Sequence, residues 1–156
     1  MEVLMVEFGS KGSDWGLPDF QIKGDTTIHA DYEAIRKNIR SREMNTDKNG
    51  NRITIFRDKN GNPIMTKTEI KDGKTISSKY SFGSSYSKIE YNLWDDGDDG
   101  SVETVQEKLF TPGQFVLRTY TDRHDDDGVL DHVAESRFKR HSDGDFEETS
   151  SHRWDI

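Results

Sequence analysis

The sequence predicts an all-β protein with one N-terminal helix, built as an antiparallel up-and-down meander of about eight to ten strands. Three observations support this fold class. Asn-Gly, Asp-Gly and Pro-Gly turn signals recur from residue 49 to residue 144. Polar and apolar residues alternate between these turns, and opposite charges face each other when neighbouring segments are paired. The meander could form a curved open sheet or a closed barrel, and the sequence leaves both open.

The first 44 residues carry the helix. The segment from Glu2 to Phe8 alternates loosely and predicts a strand, a Gly- and Ser-rich loop follows, and Phe20 to His29 is a second possible strand. A helix is predicted over about 31–44, with Asp31 as its N-cap. Its apolar stripe consists of Tyr32, Ile35 and Ile39.

The meander is predicted from about residue 50 to residue 156, and two-residue turns set the register of its first strands. These turns are Asn60-Gly61 and Asp72-Gly73. The opposed pairs are then Arg52 with Glu69, Phe56 with Met65, and Met65 with Tyr80.

Charge pairing also sets the register of the last three strands. A four-residue loop, Asp125 to Gly128, places Arg118 opposite Glu135, Tyr120 opposite Val133, and Phe115 opposite Phe138. A two-residue turn at Asp143-Gly144 places Arg140 opposite Glu147, Lys139 opposite Glu148, Glu135 opposite His152, and His132 opposite Asp155. A cross-strand row of Tyr120, Val133 and Trp154 follows.

One turn sequence occurs twice. Asp47-Lys-Asn-Gly-Asn51 returns as Asp58-Lys-Asn-Gly-Asn62. It resembles the Asp-x-x-Gly-Asn turn of the YD repeats in bacterial wall-associated and toxin-delivery proteins. The Tyr that precedes Asp in that family is replaced here, by Arg57 in one copy. The resemblance covers about residues 45–75 and implies a hairpin turn, with no function attached.

Composition and length indicate one domain over residues 1–156. The chain has no Cys, and its N-terminus carries acidic residues where a signal peptide needs basic ones, so we expect a cytoplasmic protein that does not enter the membrane. Its net charge of −8 is unevenly distributed. Residues 1–35 carry −5, residues 36–80 carry +7 and residues 81–156 carry −10.

The acidic C-terminal half favours a non-enzymatic binding protein that meets a basic protein partner, as an inhibitor, an immunity protein or a nucleic-acid mimic would. No catalytic motif is found, and the two acidic loops do not follow the EF-hand spacing, so we expect no catalytic residues, metal site or cofactor. The residues expected to bind the partner are Asp95, Asp96, Asp98, Asp99, Asp125, Asp126 and Asp127.

Two other functions remain open. An early helix followed by a meander is similar in outline to intracellular fatty-acid-binding proteins and other calycins. That resemblance implies a barrel that binds a small hydrophobic ligand between Tyr80, Tyr91, Tyr120 and Trp154. Nucleic-acid binding through the basic helix segment 36–42 is the second alternative, although the net charge of −8 opposes binding to a polyanion. It would use Arg36, Lys37, Arg40, Arg42, Arg52 and Arg57. Long polar edge strands would also allow a homodimer.

Overall fold

The computed structural model describes residues 3–10, 13–24, 26–84, 88–123 and 128–156. These residues form one helix, α1 (Thr27–Asn38), and twelve strands. The strands are β1 (Val3–Phe8), β2 (Gln21–Ile22), β3 (Ser41–Thr46), β4 (Arg52–Arg57), β5 (Pro63–Asp72), β6 (Thr75–Ser84), β7 (Ile89–Asp95), β8 (Thr104–Thr111), β9 (Gln114–Thr121), β10 (Val129–Leu130), β11 (His132–Arg140) and β12 (Phe146–Asp155).

Ten of these strands form a single antiparallel sheet in the order β1-β3-β4-β5-β6-β7-β8-β9-β11-β12. This confirms the predicted meander. The first and last strands of that order are edges of the sheet and do not pair with each other, so the sheet is curved and open. The closed-barrel alternative is therefore wrong. β2 and β10 form a separate parallel pair.

The helix begins and ends earlier than the sequence predicted. Thr26, and not Asp31, is the N-cap, because its Oγ1 accepts a hydrogen bond from the backbone N of His29 at 3.4 Å. The chain becomes extended at Ile39, and residues 41–44 of the predicted helix belong to β3. β3 pairs with β1 on one side and β4 on the other, and these two ladders outweigh the helical preference of a short polar segment.

Charge and aromatic pairing predicted most registers correctly. Arg118 lies opposite Glu135, Tyr120 opposite Val133, and Phe115 opposite Phe138. Arg52 lies opposite Glu69, and Phe56 opposite Met65. His132 faces Asp155, Glu135 faces His152, and Val133 faces Trp154.

The registers of two hairpins, β5–β6 and β11–β12, differ from the prediction, and in both the difference arises at or near the turn. Met65 lies opposite Phe82, not Tyr80, because the β5–β6 turn consists of Gly73 and Lys74. Gly73 has φ 63° and takes the first central position, where hairpin turns of the primed types require positive φ. The shift is by two residues, so Tyr80 keeps its predicted face.

The last hairpin contains a bulge. Its loop spans residues 141–145, and the backbone N of His141 donates to the O of Asp145 at 2.8 Å. Thr149 is the extra residue, because Arg137 pairs with Ser150 and Phe138 pairs with Glu148. Consequently, next to the turn, Lys139 faces Glu147 and Arg140 faces Phe146, which corrects the two pairs predicted there.

The helix and the segment before it cover one face of the sheet, which we call the inner face. Tyr32 lies at the centre of this packing, and its hydroxyl donates to the carbonyl O of Pro18 at 2.7 Å. An aromatic chain leads from the covering layer into the sheet through Phe20, Tyr32, Phe82 and Tyr91, with successive ring centroids 5.1, 5.6 and 5.0 Å apart. Burial raises the pKa of Tyr32.

α1 has too few residues and too many polar side chains to cross a bilayer, and the described part of the chain contains no other helix that could.

Candidate functional site

Carboxylates collect at one end of the sheet, which we call the acidic end. Alternate connections of an antiparallel meander lie at the same end. The β7–β8 connection, the connection after β9 and the last residue of β12 therefore meet there, with the two connections about 10 Å apart at two strand spacings. The carboxylates of the described residues at this end include Asp96, Asp98, Asp99, Glu103, Asp122, Asp131 and Asp155.

The β7–β8 connection is held by its own acidic residues. Asp95 is fully buried, and its carboxylate accepts hydrogen bonds from the backbone N of Asp99 at 3.2 Å and of Gly100 at 3.0 Å. Burial is the main reason that the pKa of Asp95 is raised. Asp98 has φ 48°, and its Oδ1 accepts from Oγ of Ser78 at 2.7 Å. These two residues therefore build the connection.

Asp96 and Asp99 are the members of the predicted set that this connection leaves exposed. Oδ1 of Asp99 also accepts a hydrogen bond from the backbone N of Ser101 at 3.0 Å, which fixes the position of its side chain. Asp125, Asp126 and Asp127, the other predicted residues, lie outside the described residues.

Glu103 belongs to this cluster, although the sequence did not single it out. One ligand atom each from Asp95, Asp99 and Glu103 lies within 4.8 Å of the others. Oε2 of Glu103 accepts from the backbone N of Asp96 at 2.9 Å, and burial is the main cause of the raised pKa of Glu103. Backbone N–H groups of the same connection thus bind all three carboxylates, which accounts for their proximity.

The connection after β9 has the same kind of internal support. Oδ2 of Asp122 accepts from the backbone N of Gly128 at 3.0 Å, and Oδ1 of Asp131 accepts from the backbone N of Arg123 at 3.0 Å. Nδ1 of His132 lies 2.9 Å from Oδ1 of Asp155, the pair that strand register predicted. The acidic end therefore consists of connections that their own side chains hold in place.

The inner face carries a charged row beyond the helix. Arg118 lies between Glu107 and Glu135, with Nη1 3.0 Å from Oε1 of Glu107 and Nε 2.7 Å from Oε2 of Glu135. Nε of Arg137 lies 3.0 Å from Oε1 of Glu135. The hydrogen bond from Arg118 is the largest cause that lowers the pKa of Glu135. This row ties β8, β9 and β11 together.

The four aromatic residues of the ligand-binding alternative lie on the inner face, but they do not surround one space. Tyr80 and Tyr91 are buried in the core that the helix covers. The hydroxyl of Tyr91 donates to Oδ2 of Asp31 on the helix at 3.0 Å. Tyr120 is half-buried, and Trp154 on the edge strand β12 is 42% exposed. The helix therefore fills the place where this alternative expected a ligand.

The six basic residues of the nucleic-acid alternative are divided between the helix, the short connection after it and two strands. Three of them bind carboxylates of this chain: Arg36 pairs with Asp19 and Glu33, Arg42 with Glu7, and Arg57 with Glu43. Nη1 of Arg40 donates to the carbonyl O of Lys37 at 2.8 Å, and Nε of Arg52 to Oγ1 of Thr46 at 2.9 Å. Much of the positive charge is thus neutralised within the fold.

Comparisons with protein-family models, with curated proteins and with solved structures find no match to this chain.

Proposed function

We propose that this chain is a non-enzymatic binding protein whose acidic end engages a basic surface on a protein partner. The observation that carries the proposal is the meeting of two acidic connections and the end of β12 at one end of the sheet. Inhibitors, immunity proteins and nucleic-acid mimics act in this way, by presenting fixed negative charge to a basic site.

The charge balance of the acidic end supports this function. Residues 96–103 contain four acidic and no basic residues, and residues 122–131 contain Arg123 as their one Lys or Arg. One carboxylate oxygen each of Asp99 and Glu103 lies within 4.8 Å of the other, closer than the Debye length of about 8 Å at physiological salt, so these two charges act jointly on an approaching partner. The negative electrostatic field of clustered carboxylates increases the rate of association with a basic surface and weakens binding to acidic surfaces.

Rigid positioning of the exposed carboxylates also supports it. Asp95 and Asp98 hold the β7–β8 connection from within, and Ser101 N–H orients the side chain of Asp99. A surface that is ordered before binding loses less conformational entropy when the partner docks. The connection therefore presents Asp99 with an oriented side chain, and Asp96 on a backbone that Glu103 holds.

The test compares two double variants. Asp96→Asn with Asp99→Asn removes two exposed charges at the acidic end, and the Asn oxygen can still accept the bond from Ser101 N–H. Asp143→Asn with Asp145→Asn is the matched control, because both residues are exposed in a turn at the opposite end of the sheet. Wild-type protein and both variants are immobilised and exposed to lysate of the cells that express the protein.

We expect wild-type protein and the control variant to retain the same basic protein, released by high salt, and the Asp96/Asp99 variant to retain much less of it. Equal retention by all three proteins, or a partner that salt does not release, would contradict the proposal. Circular dichroism of each variant verifies that the sheet is intact.

A further inference from the structure

β1, the first edge of the sheet, exposes an apolar row. Leu4, Val6 and Phe8 are 63%, 52% and 83% exposed, and all three lie on the outer face of the sheet, opposite the helix. Ile53 on β4 is also exposed on this face, but the polar Asn45 of β3 separates it from Leu4, so the apolar row is confined to β1. Clustered exposed apolar side chains of this kind mark an interaction surface.

The backbone of β1 is also available for pairing. The backbone N of Gly9 donates to the carbonyl O of Arg40 at 2.8 Å, so the odd residues of β1 direct their N–H and C=O groups towards β3. Backbone direction alternates along a strand, and Leu4, Val6 and Phe8 therefore direct theirs away from β3. Within the described ranges, no strand occupies that side of β1.

The opposite edge, β12, also has no neighbouring strand on one side among the described residues and exposes Phe146 and Trp154, but charged residues and a bulge interrupt it. β12 carries Glu147, Glu148, Arg153 and Asp155, and Thr149 forms a bulge in it. Charged side chains and bulges are the usual protection of an edge against pairing. Only one of the two edges is thus unprotected among the described strands.

We propose that β1 pairs antiparallel with β1 of a second copy of this chain across a two-fold axis. With Val6 opposite Val6 of the other copy, Leu4 faces Phe8 in both directions. All of these residues direct their backbone groups towards the partner strand, so each opposed pair is a hydrogen-bonded pair. The apolar row becomes continuous across the axis, and no two like charges face each other, because Glu7 lies opposite Met5.

A second copy of β1 fits this edge better than β12 of another molecule does. The outer face of β12 carries Phe146, Glu148, Ser151, Arg153 and Asp155, and its three charged residues would be placed against the apolar row. Pairing of β1 with β12 would also continue from molecule to molecule without closing, whereas pairing of β1 with itself closes as a dimer. One strand pair is smaller than a standard interface of about 1,600 Å², so we expect micromolar affinity.

Sedimentation velocity over about 1 to 200 μM protein tests the dimer directly. Val6→Lys places two Lys side chains opposite each other on the axis, and we expect it to raise the dimer dissociation constant on the order of a hundredfold. Ile70→Lys is the matched control, because Ile70 is 50% exposed on the outer face of β5, away from the edge. We expect this control to dimerise like the wild-type protein.

Val6→Pro provides a second test that adds no charge. It removes one outward N–H group and leaves the hydrogen bonds between β1 and β3 in place, so it should also weaken the dimer. If either variant fails to fold, hydrogen exchange of the wild-type protein takes the place of that experiment. The backbone amides of Leu4, Val6 and Phe8 should then be protected at high protein concentration and not at low protein concentration. A wild-type protein that stays monomeric at about 200 μM, assembly beyond a dimer, or equal effects of Val6→Lys and Ile70→Lys would overturn the proposal.

Discussion

Nε of Arg118 donates a 2.7 Å hydrogen bond to Oε2 of Glu135, the residue directly opposite it in the adjacent strand. The same guanidinium donates through Nη1 to Glu107 on its other side at 3.0 Å. One arginine thus joins three strands on the face that also carries the aromatic core. Because the side chains of both glutamates are 9% exposed, their charges depend on Arg118 for compensation.

Glu135→Gln should destabilise the protein. The substitution removes the charge that accepts hydrogen bonds from Arg118 and Arg137, and leaves Arg118 with Glu107 alone. Both arginines are partly exposed to solvent, which weakens their ion pairs with Glu135. We therefore expect the free energy of unfolding to fall by about 1–2 kcal/mol. Urea denaturation measures it. Glu148→Gln, an exposed acid on β12, is the control and should change stability by less than about 0.5 kcal/mol; equal losses would contradict the account.

The effect of Glu135→Gln should depend on pH. The folded protein lowers the pKa of Glu135, so its contribution to stability is fully present above the ordinary value of 4.5. That contribution disappears as the pH falls from there through the lowered folded pKa. The difference in free energy of unfolding between wild-type protein and Glu135→Gln should therefore be largest at neutral pH and shrink below about 4.5. A difference that stays constant in urea titrations from neutral to acidic pH would argue against a charged network.

Asp95→Asn should show the opposite pH dependence. Burial raises the pKa of Asp95, so the folded state at neutral pH bears the cost of a desolvated charge. Protonation removes this cost as the pH falls from the raised folded pKa towards the ordinary value of 3.8. The wild-type protein should therefore gain stability relative to Asp95→Asn over that interval. Denaturation series of the two proteins at matched pH values measure this, and a wild-type protein that loses stability relative to the variant would contradict it.

The repeated turn sequence makes two equivalent substitutions possible. Oδ1 of Asp47 accepts from the backbone N of Asn49 and Asn51, and Oδ1 of Asp58 accepts from the backbone N of Asn60 and Asn62 in the same way. Asp47→Ala and Asp58→Ala should each lower the free energy of unfolding by about 1 kcal/mol.

The effects of these two substitutions should be additive, because the turns lie at opposite ends of β4. Lys59→Ala, in the middle of the second turn, is the control and should leave stability nearly unchanged. Thermal or urea unfolding of the single and double variants measures the sum. A loss at one turn alone would show that the repeated sequence does not have the same role in both places.

Strand order and most registers could be predicted because the correct register of a hairpin places opposite charges in facing positions. Arg118 with Glu135 and Arg52 with Glu69 are such pairs. The registers that differed depend on backbone detail, since Gly73 enters the turn with φ 63° and Thr149 adds a bulge. The helix differed because β3 is a polar segment whose strand conformation comes from pairing on both sides.

The sequence predicted that the β7–β8 connection is acidic but not which of its acids face solvent. Asp95 and Asp98 turn inwards to hold the connection, and no local pattern distinguishes them from Asp96 and Asp99. Glu103 joins the cluster because the chain reverses direction at Gly100 and returns towards Asp95 and Asp99. Sequence spacing does not reveal this proximity. β1 was predicted as a strand, but its apolar row and free edge become evident only from the order of the strands.

The most direct test of the proposed function is the affinity for the retained partner, measured by titration calorimetry at low and at physiological salt. We predict that the wild-type protein loses at least about tenfold in affinity between the two conditions. The Asp96→Asn/Asp99→Asn variant should bind weakly already at low salt and respond less to salt. An affinity that neither salt nor this pair of substitutions changes would contradict binding through the acidic end.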